Sequence, residues 1–232
     1  MITSRTRFES SLSALSAQVF TVSDAVLREL AGAAQALHGR DLEACDAVIR
    51  AGDAVGRLRL SVVGRAIELL ALQAPVAYDL SFVVAQFHIS YHFGRIGDSA
   101  VNIAKLVQLT DSLPANPAVE QRLVATADEA IAMFDAAVGA LRRRDASGER
   151  FLAEWREVIE RRHQQVVRDV LHAPPGADGL TWGMHMSMAS GQYLRVADHL
   201  VHVGGQVAGL VGTTPAWTRR APISPHSLPL GA

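Results

Sequence analysis

The stretch Phe93–Ile103, with the sequence FGRIGDSAVNI, returns 100 residues later as Tyr193–Val203, YLRVADHLVHV. Arginine, aspartate and valine keep the same offsets in both copies, and aromatic, β-branched and small positions are matched in kind. Self-similarity at a fixed spacing is the signature of an internal structural repeat. We therefore predict that the chain contains two copies of one folding unit.

Helical periodicity surrounds both copies. Apolar residues from Phe8 to Leu37 return to one face, at the spacing of an amphipathic helix. Gly39 is suited to end this helix, Asp41 to cap the next one, and Pro75 to the first turn of the third. Breaks at 38–40, 73–75, 111–116, 145–148 and 173–179 divide the chain into six predicted helices.

These helices predict an all-α fold of two pseudo-repeated three-helix bundles, over residues 1–111 and 117–212. The alternation and hairpin turns typical of strands are absent from the sequence. Residues 213–232 contain four prolines and are predicted to be a disordered tail. The alternating Met184, Met186 and Met188 do not match a helical stripe, so we expect an irregular turn near Trp182.

The composition excludes several classes of protein. Of the 232 residues 49% are hydrophobic and the formal net charge is −1, which excludes general disorder and a basic nucleic-acid-binding surface. Cys45 is the single cysteine, so there is no disulfide framework. The sequence shows neither a signal peptide nor an uncharged apolar run of about 18 residues, and we expect a cytoplasmic protein without membrane insertion. Motifs of nucleophilic or nucleotide-dependent catalysis are missing, so an enzyme is not expected.

Two stretches resemble the PhoU family. IELLALQAPVAYDLSFVV at 67–84 and FGRIGDSAVNIA at 93–104 follow the family pattern in order and at the expected separation, and the sixth predicted helix resembles its second copy. The residues that match the family motif are Pro75, Asp79, Arg95, Asp98, Asn102, Arg195 and Asp198.

The resemblance implies a function as well as a fold. It implies a regulatory protein that restrains phosphate uptake through the phosphate ABC transporter and signals phosphate sufficiency to a sensor histidine kinase. The transporter's ATPase subunit and the kinase would be its partners, and a homodimer is compatible with the resemblance. Two alternatives stay open: a divergent helical adaptor with no phosphate role, and a hydrolase that uses carboxylate-bound metal.

The resemblance also implies metal binding by carboxylates on neighbouring helices, and here the sequence departs from the family. Gly94 and Leu194 stand where the motif has glutamate. The remaining candidate ligands are Asp53 and Asp98 in the first repeat and Glu157, Glu160 and Asp198 in the second. We predict at most one weakly bound divalent ion, in the second repeat.

Two other interpretations compete with this one. The carboxylates are also typical of solvated helix faces, where Asp98 and Asp198 would each pair with the arginine three residues earlier. Histidine pairs at 88/92 and 199/202 have spacings that can hold zinc when a third ligand converges.

Overall fold

Six α-helices account for nearly all of the chain that the computed structural model describes, which comprises residues 2–113, 115–172 and 176–213. The prediction of an all-α fold is confirmed. The helices are α1 (Ile2–Gly39), α2 (Leu42–Gln73), α3 (Ala77–Gln108), α4 (Pro117–Arg143), α5 (Gly148–Leu171) and α6 (Ala177–Thr213). The tail predicted at 213–232 lies outside the described residues apart from Thr213, which ends α6.

Local side-chain chemistry sets several helix ends. The Asp41 carboxylate accepts a hydrogen bond from the backbone N–H of Ala44 at 3.0 Å and caps α2. Asn116 does the same for α4, where Pro117 occupies the first turn without losing a helical hydrogen bond. The turn after Gly39 is made by Arg40, whose φ of 48° lies in the left-handed region.

Two predicted boundaries are wrong by a few residues. Pro75 lies before α3 rather than in its first turn, because Ala74 is left-handed and Val76 is extended. α3 begins at Ala77, whose own φ of 49° is positive. A residue that precedes proline is sterically kept out of the right-handed helical region, which agrees with Ala74 leaving it.

The second error concerns the start of α6. The predicted break at 173–179 extends too far, since α6 begins at Ala177 and Gly179 lies in its first turn. Glycine in a helix costs only about 1 kcal/mol relative to alanine, so one glycine does not prevent the helix from beginning before it. The methionines at 184–188 are therefore part of regular helix: Met186 is buried, and Met184 and Met188 are exposed on the opposite side.

The helices pack as two sets of three. In each set, α1–α3 and α4–α6, every helix contacts the other two, and the sets join mainly through α3 against α6 and also through α1 against α4. α3 and α6 run antiparallel, because Phe82 near the start of α3 packs with Leu210 near the end of α6. One hydrophobic cluster draws side chains from all six helices.

The buried positions repeat with the same register as the sequence motif. Phe93 and Tyr193, 100 residues apart, are both fully buried at corresponding places in α3 and α6. In the other helices the shift is 104 residues, which relates Leu30 of α1 to Phe134 of α4. Within the described residues, none of these helices combines the length and the apolar character needed to span a membrane.

Candidate functional site

An open cleft of about 840 Å³ lies where α3 crosses α6, with α2 along one side. Both copies of the repeated motif line it, so Arg95 and Asp98 lie in the same cleft as Arg195 and Asp198. We call this the central cleft. Its other lining residues are Ile49, Gly52, Asp53, Ser99, Val101, Asn102, Lys105, Gln192, His199 and His202.

The charges of the central cleft are only partly paired. Arg95 donates a hydrogen bond to Asp98 at 2.8 Å, as the spacing of three residues predicts. Arg195 and Lys105 form no ion pair with any residue that the structure describes, so their charges face the cleft. Asp53 also lines the cleft without an ion pair among the described residues, so the cleft presents unpaired groups of both signs.

Asp198 pairs with an arginine from another helix rather than with its predicted partner, Arg195. Arg156 of α5 donates one hydrogen bond to Asp198 at 2.7 Å and another to Glu160 at 2.5 Å. These hydrogen bonds, led by the one to Asp198, raise the pKa of Arg156. A guanidinium thus lies between two of the three carboxylates that were candidates for a metal in the second repeat.

Glu157, the third candidate ligand of that repeat, does not share the arginine that binds Asp198 and Glu160. Glu157 is 68% exposed and lies 3.8 Å from Arg161 on the solvent side of α5. In the first repeat, Asp53 and Asp98 do line the same cleft. The position of the missing glutamate, Gly94, is covered by the side chain of Arg59: a Cβ added to Gly94 would lie 2.5 Å from Arg59 Cδ.

These contacts do not fit a multinuclear carboxylate cluster. Among the described residues no group of three His, Cys, Asp or Glu side chains is arranged to hold one ion. A single ion in the second repeat would have to displace the Arg156 guanidinium from both Asp198 and Glu160. The weakly bound ion inferred from the sequence stays a prediction.

One histidine of the 88/92 pair, His92, meets both histidines of the 199/202 pair across the helix contact, and His88 is exposed. Nδ1 of His92 on α3 lies 3.2 Å from Nδ1 of His199 on α6, and the ring of His202 stacks on His92 with centroids 5.0 Å apart. Burial, followed by the neighbouring histidines, lowers the pKa of His92 to about 4. Burial also lowers the pKa of His199, with Arg95 the next contributor. Neutral imidazoles therefore lie at the edge of the central cleft at physiological pH.

Glu29 is a buried acid that the sequence interpretation missed. It is 3% exposed on α1, and neither carboxylate oxygen has a hydrogen-bond partner in the described part of the chain. Its Oε2 lies against Gly97 of α3, where an added Cβ would come within 2.8 Å. Burial and the nearby Asp98 charge raise its pKa from 4.5 to about 7. The corresponding position of α4, 104 residues on, is the fully buried Met133.

The remaining motif residues lie at two places. Pro75 and Asp79 belong to the corner between α2 and α3, where Asp79 lies in the first turn of α3, a favourable place for a negative charge. Asn102 is exposed in the central cleft. The structure thus places Asn102 with both RxxD segments, and it keeps the corner apart from the cleft lining.

Comparison with known proteins agrees with this architecture. A family model described as the PhoU domain matches residues 20–107. The phosphate-specific transport system accessory protein PhoU homolog 1 of Mycobacterium tuberculosis is 31% identical over 180 residues, which cover 77% of this chain and 81% of the relative. PhoU homolog 2 of Mycobacterium bovis is 26% identical, over 88% of this chain and 95% of the relative.

Solved structures show the same fold. The crystal structure of PhoU from Pseudomonas aeruginosa superposes with a TM-score of 0.82 at 18% identity, over 89% of this chain and all (100%) of that one. The phosphate transport system regulatory protein PhoU from Streptococcus pneumoniae gives a TM-score of 0.80 at 21% identity, over 88% and 96% of the two chains. With the mycobacterial relative matched along most of its length and the six-helix architecture shared, this chain belongs to the PhoU family.

Proposed function

We propose that this protein is a regulatory accessory factor of a phosphate ABC transporter, which restrains phosphate uptake and signals phosphate sufficiency to a sensor histidine kinase. The observation that carries the proposal is the match to the mycobacterial relative named as a phosphate-specific transport system accessory protein. The protein would act at the cytoplasmic side of the membrane, held there by protein partners.

The surface of α3 supports attachment through protein contacts. Leu80, Val84, Phe87 and Tyr91 are between 37% and 44% exposed and recur every three or four residues on one face. We call this the α3 apolar stripe. Contiguous exposed apolar residues mark interaction sites on otherwise polar surfaces. The stripe leads directly into the central cleft at Arg95, so a partner that covers it would also reach the cleft.

We assign the α3 apolar stripe to the ATPase subunit of the transporter. The near-zero net charge gives no basis for attachment to anionic lipid, so a protein partner is required. Binding of the purified ATPase subunit should be weakened by Phe87→Glu, which places a charge in the middle of the stripe. Phe151→Glu is the matched control, because Phe151 is 53% exposed on α5, a different helix.

The function itself is tested by deleting the gene in its native host. Phosphate uptake and alkaline phosphatase activity are measured under phosphate excess, where the deletion is expected to raise both. Complementation with wild type and with Phe151→Glu should restore repression, and complementation with Phe87→Glu should not. Unchanged uptake and phosphatase in the deletion strain would contradict the proposal and favour the adaptor alternative.

A further inference from the structure

Three histidines from the two repeats come together at one edge of the central cleft. His92 lies on α3, and His199 and His202 lie on α6, so the group exists only when the two repeats are packed. Neither pair, 88/92 or 199/202, is completed by a third converging ligand among the described residues. The nearest donor atoms come from different helices, and they are the two Nδ1 atoms of His92 and His199.

The separation of these two nitrogens suits chelation. Nδ1 of His92 and Nδ1 of His199 are 3.2 Å apart. A transition-metal ion about 2.05 Å from each nitrogen would make an N–metal–N angle of about 100°, between the octahedral and tetrahedral values. Without an ion, one of the two nitrogens must carry the hydrogen that the other accepts.

We propose that His92 and His199 bind one divalent transition-metal ion of the nitrogen-preferring class, such as Zn²⁺ or Ni²⁺, across the contact between α3 and α6. No third His, Cys, Asp or Glu in the described part of the chain is arranged to share that ion. Water from the open cleft therefore completes its coordination shell. The ion would join the first repeat to the second.

Access favours this site. Metal ions bind imidazole through a ring nitrogen that carries no hydrogen. His199 lines the 840 Å³ cleft, which supplies an entry path. The charges of the cleft give no further attraction, because its three aspartates are balanced by two arginines and a lysine. Two protein ligands make a weak and exchangeable site rather than a permanent one.

Isothermal titration of the chelator-treated full-length protein with ZnCl₂ and NiCl₂ tests the proposal. We expect one ion per chain, and a loss of affinity of about tenfold or more in His92→Gln and His199→Gln. His172→Gln is the matched control, since His172 is exposed at the end of α5 and should leave binding unchanged. Circular dichroism establishes that each variant is folded.

A spectroscopic measurement on the wild-type protein makes the test independent of the variants. In ¹⁵N-labelled protein, Zn²⁺ should shift the Nδ1 resonances of two imidazoles and leave the histidines that do not contact His92 or His199 unaffected. No binding up to about 1 mM ion would overturn the proposal. Undiminished binding in both histidine variants would also overturn it. Loss of binding only in Glu160→Ala with Asp198→Ala would assign the ion to the carboxylates instead.

Discussion

Replacement of Glu29 by glutamine should stabilise the protein, and the gain should grow as the pH rises. The carboxyl group is 3% exposed, without a hydrogen-bond partner among the described residues, and lies near Asp98 and Arg28. Its pKa rises from 4.5 to about 7 on folding, which means that the folded protein disfavours the ionised carboxylate by about 3 kcal/mol. When the pH lies between these two pKa values, folding is accompanied by proton uptake. The free energy of unfolding of the wild-type protein therefore falls as the pH rises through this range.

The assay is urea unfolding of wild type and Glu29→Gln, followed by circular dichroism at pH 5.5 and pH 8.5. The stability gap between the two proteins should widen by about 2 kcal/mol over this interval, since most of the ionisation cost appears above pH 5.5. Glu29→Met, which copies the corresponding core position Met133, should show the same trend. Glu157→Gln, at an exposed position, is the control and should leave the pH profile unchanged. A gap that stays constant with pH would refute the reasoning.

Arg156→Met should raise the affinity of the second repeat for divalent ions in a calorimetric titration, because it releases two carboxylates; an unchanged affinity would show that these carboxylates do not converge on an ion. Tyr193→Phe should keep or raise the melting temperature, by the equivalent of about 1 kcal/mol, because the buried hydroxyl has no partner in the described residues and Phe93 fills the corresponding place. A marked loss of stability would instead reveal a partner for that hydroxyl. Gly64→Ala should stabilise α2 by about 1 kcal/mol, since nothing lies within 4 Å of the new methyl group. Gly204→Ala should lower stability in the same thermal unfolding assay, because its Cβ would lie 3.1 Å from the backbone of α5; equal effects of the two alanines would contradict this.

The helices of this fold are predictable because periodicity and local end signals agree. Asp41 and Asn116 cap helices in the structure through their own neighbouring N–H groups, so a local sequence is sufficient to define them. The starts of α3 and α6 depend on backbone conformations that residue identity alone does not specify. Ala74 in the left-handed region and Gly179 within a helix are both contrary to the usual preferences of their residue types.

The site is less predictable, because it depends on which residues of different helices meet. The pair of Arg95 and Asp98 follows from spacing within one helix, and it forms. The spacing around Asp198 is identical, yet Arg156 from α5 is its partner, which no local pattern indicates. The burial of Glu29 could have been predicted from the sequence, because Glu29 lies three residues after Val26 and four before Ala33, on the apolar face of α1.

At the contact of α3 with α6, the two copies of the repeat form part of each other's surroundings. Residues of α3 contact residues of α6, the corresponding helix, so a change in one copy alters the surroundings of the other. Arg95 and Arg195 share the one central cleft and have stayed identical. The core differs between the copies, since the buried acid Glu29 of α1 stands where α4 has Met133. The contact itself has diverged as well: His199 and His202 of α6 correspond to Ser99 and Asn102 of α3, so the two sides of the central cleft offer different chemistry.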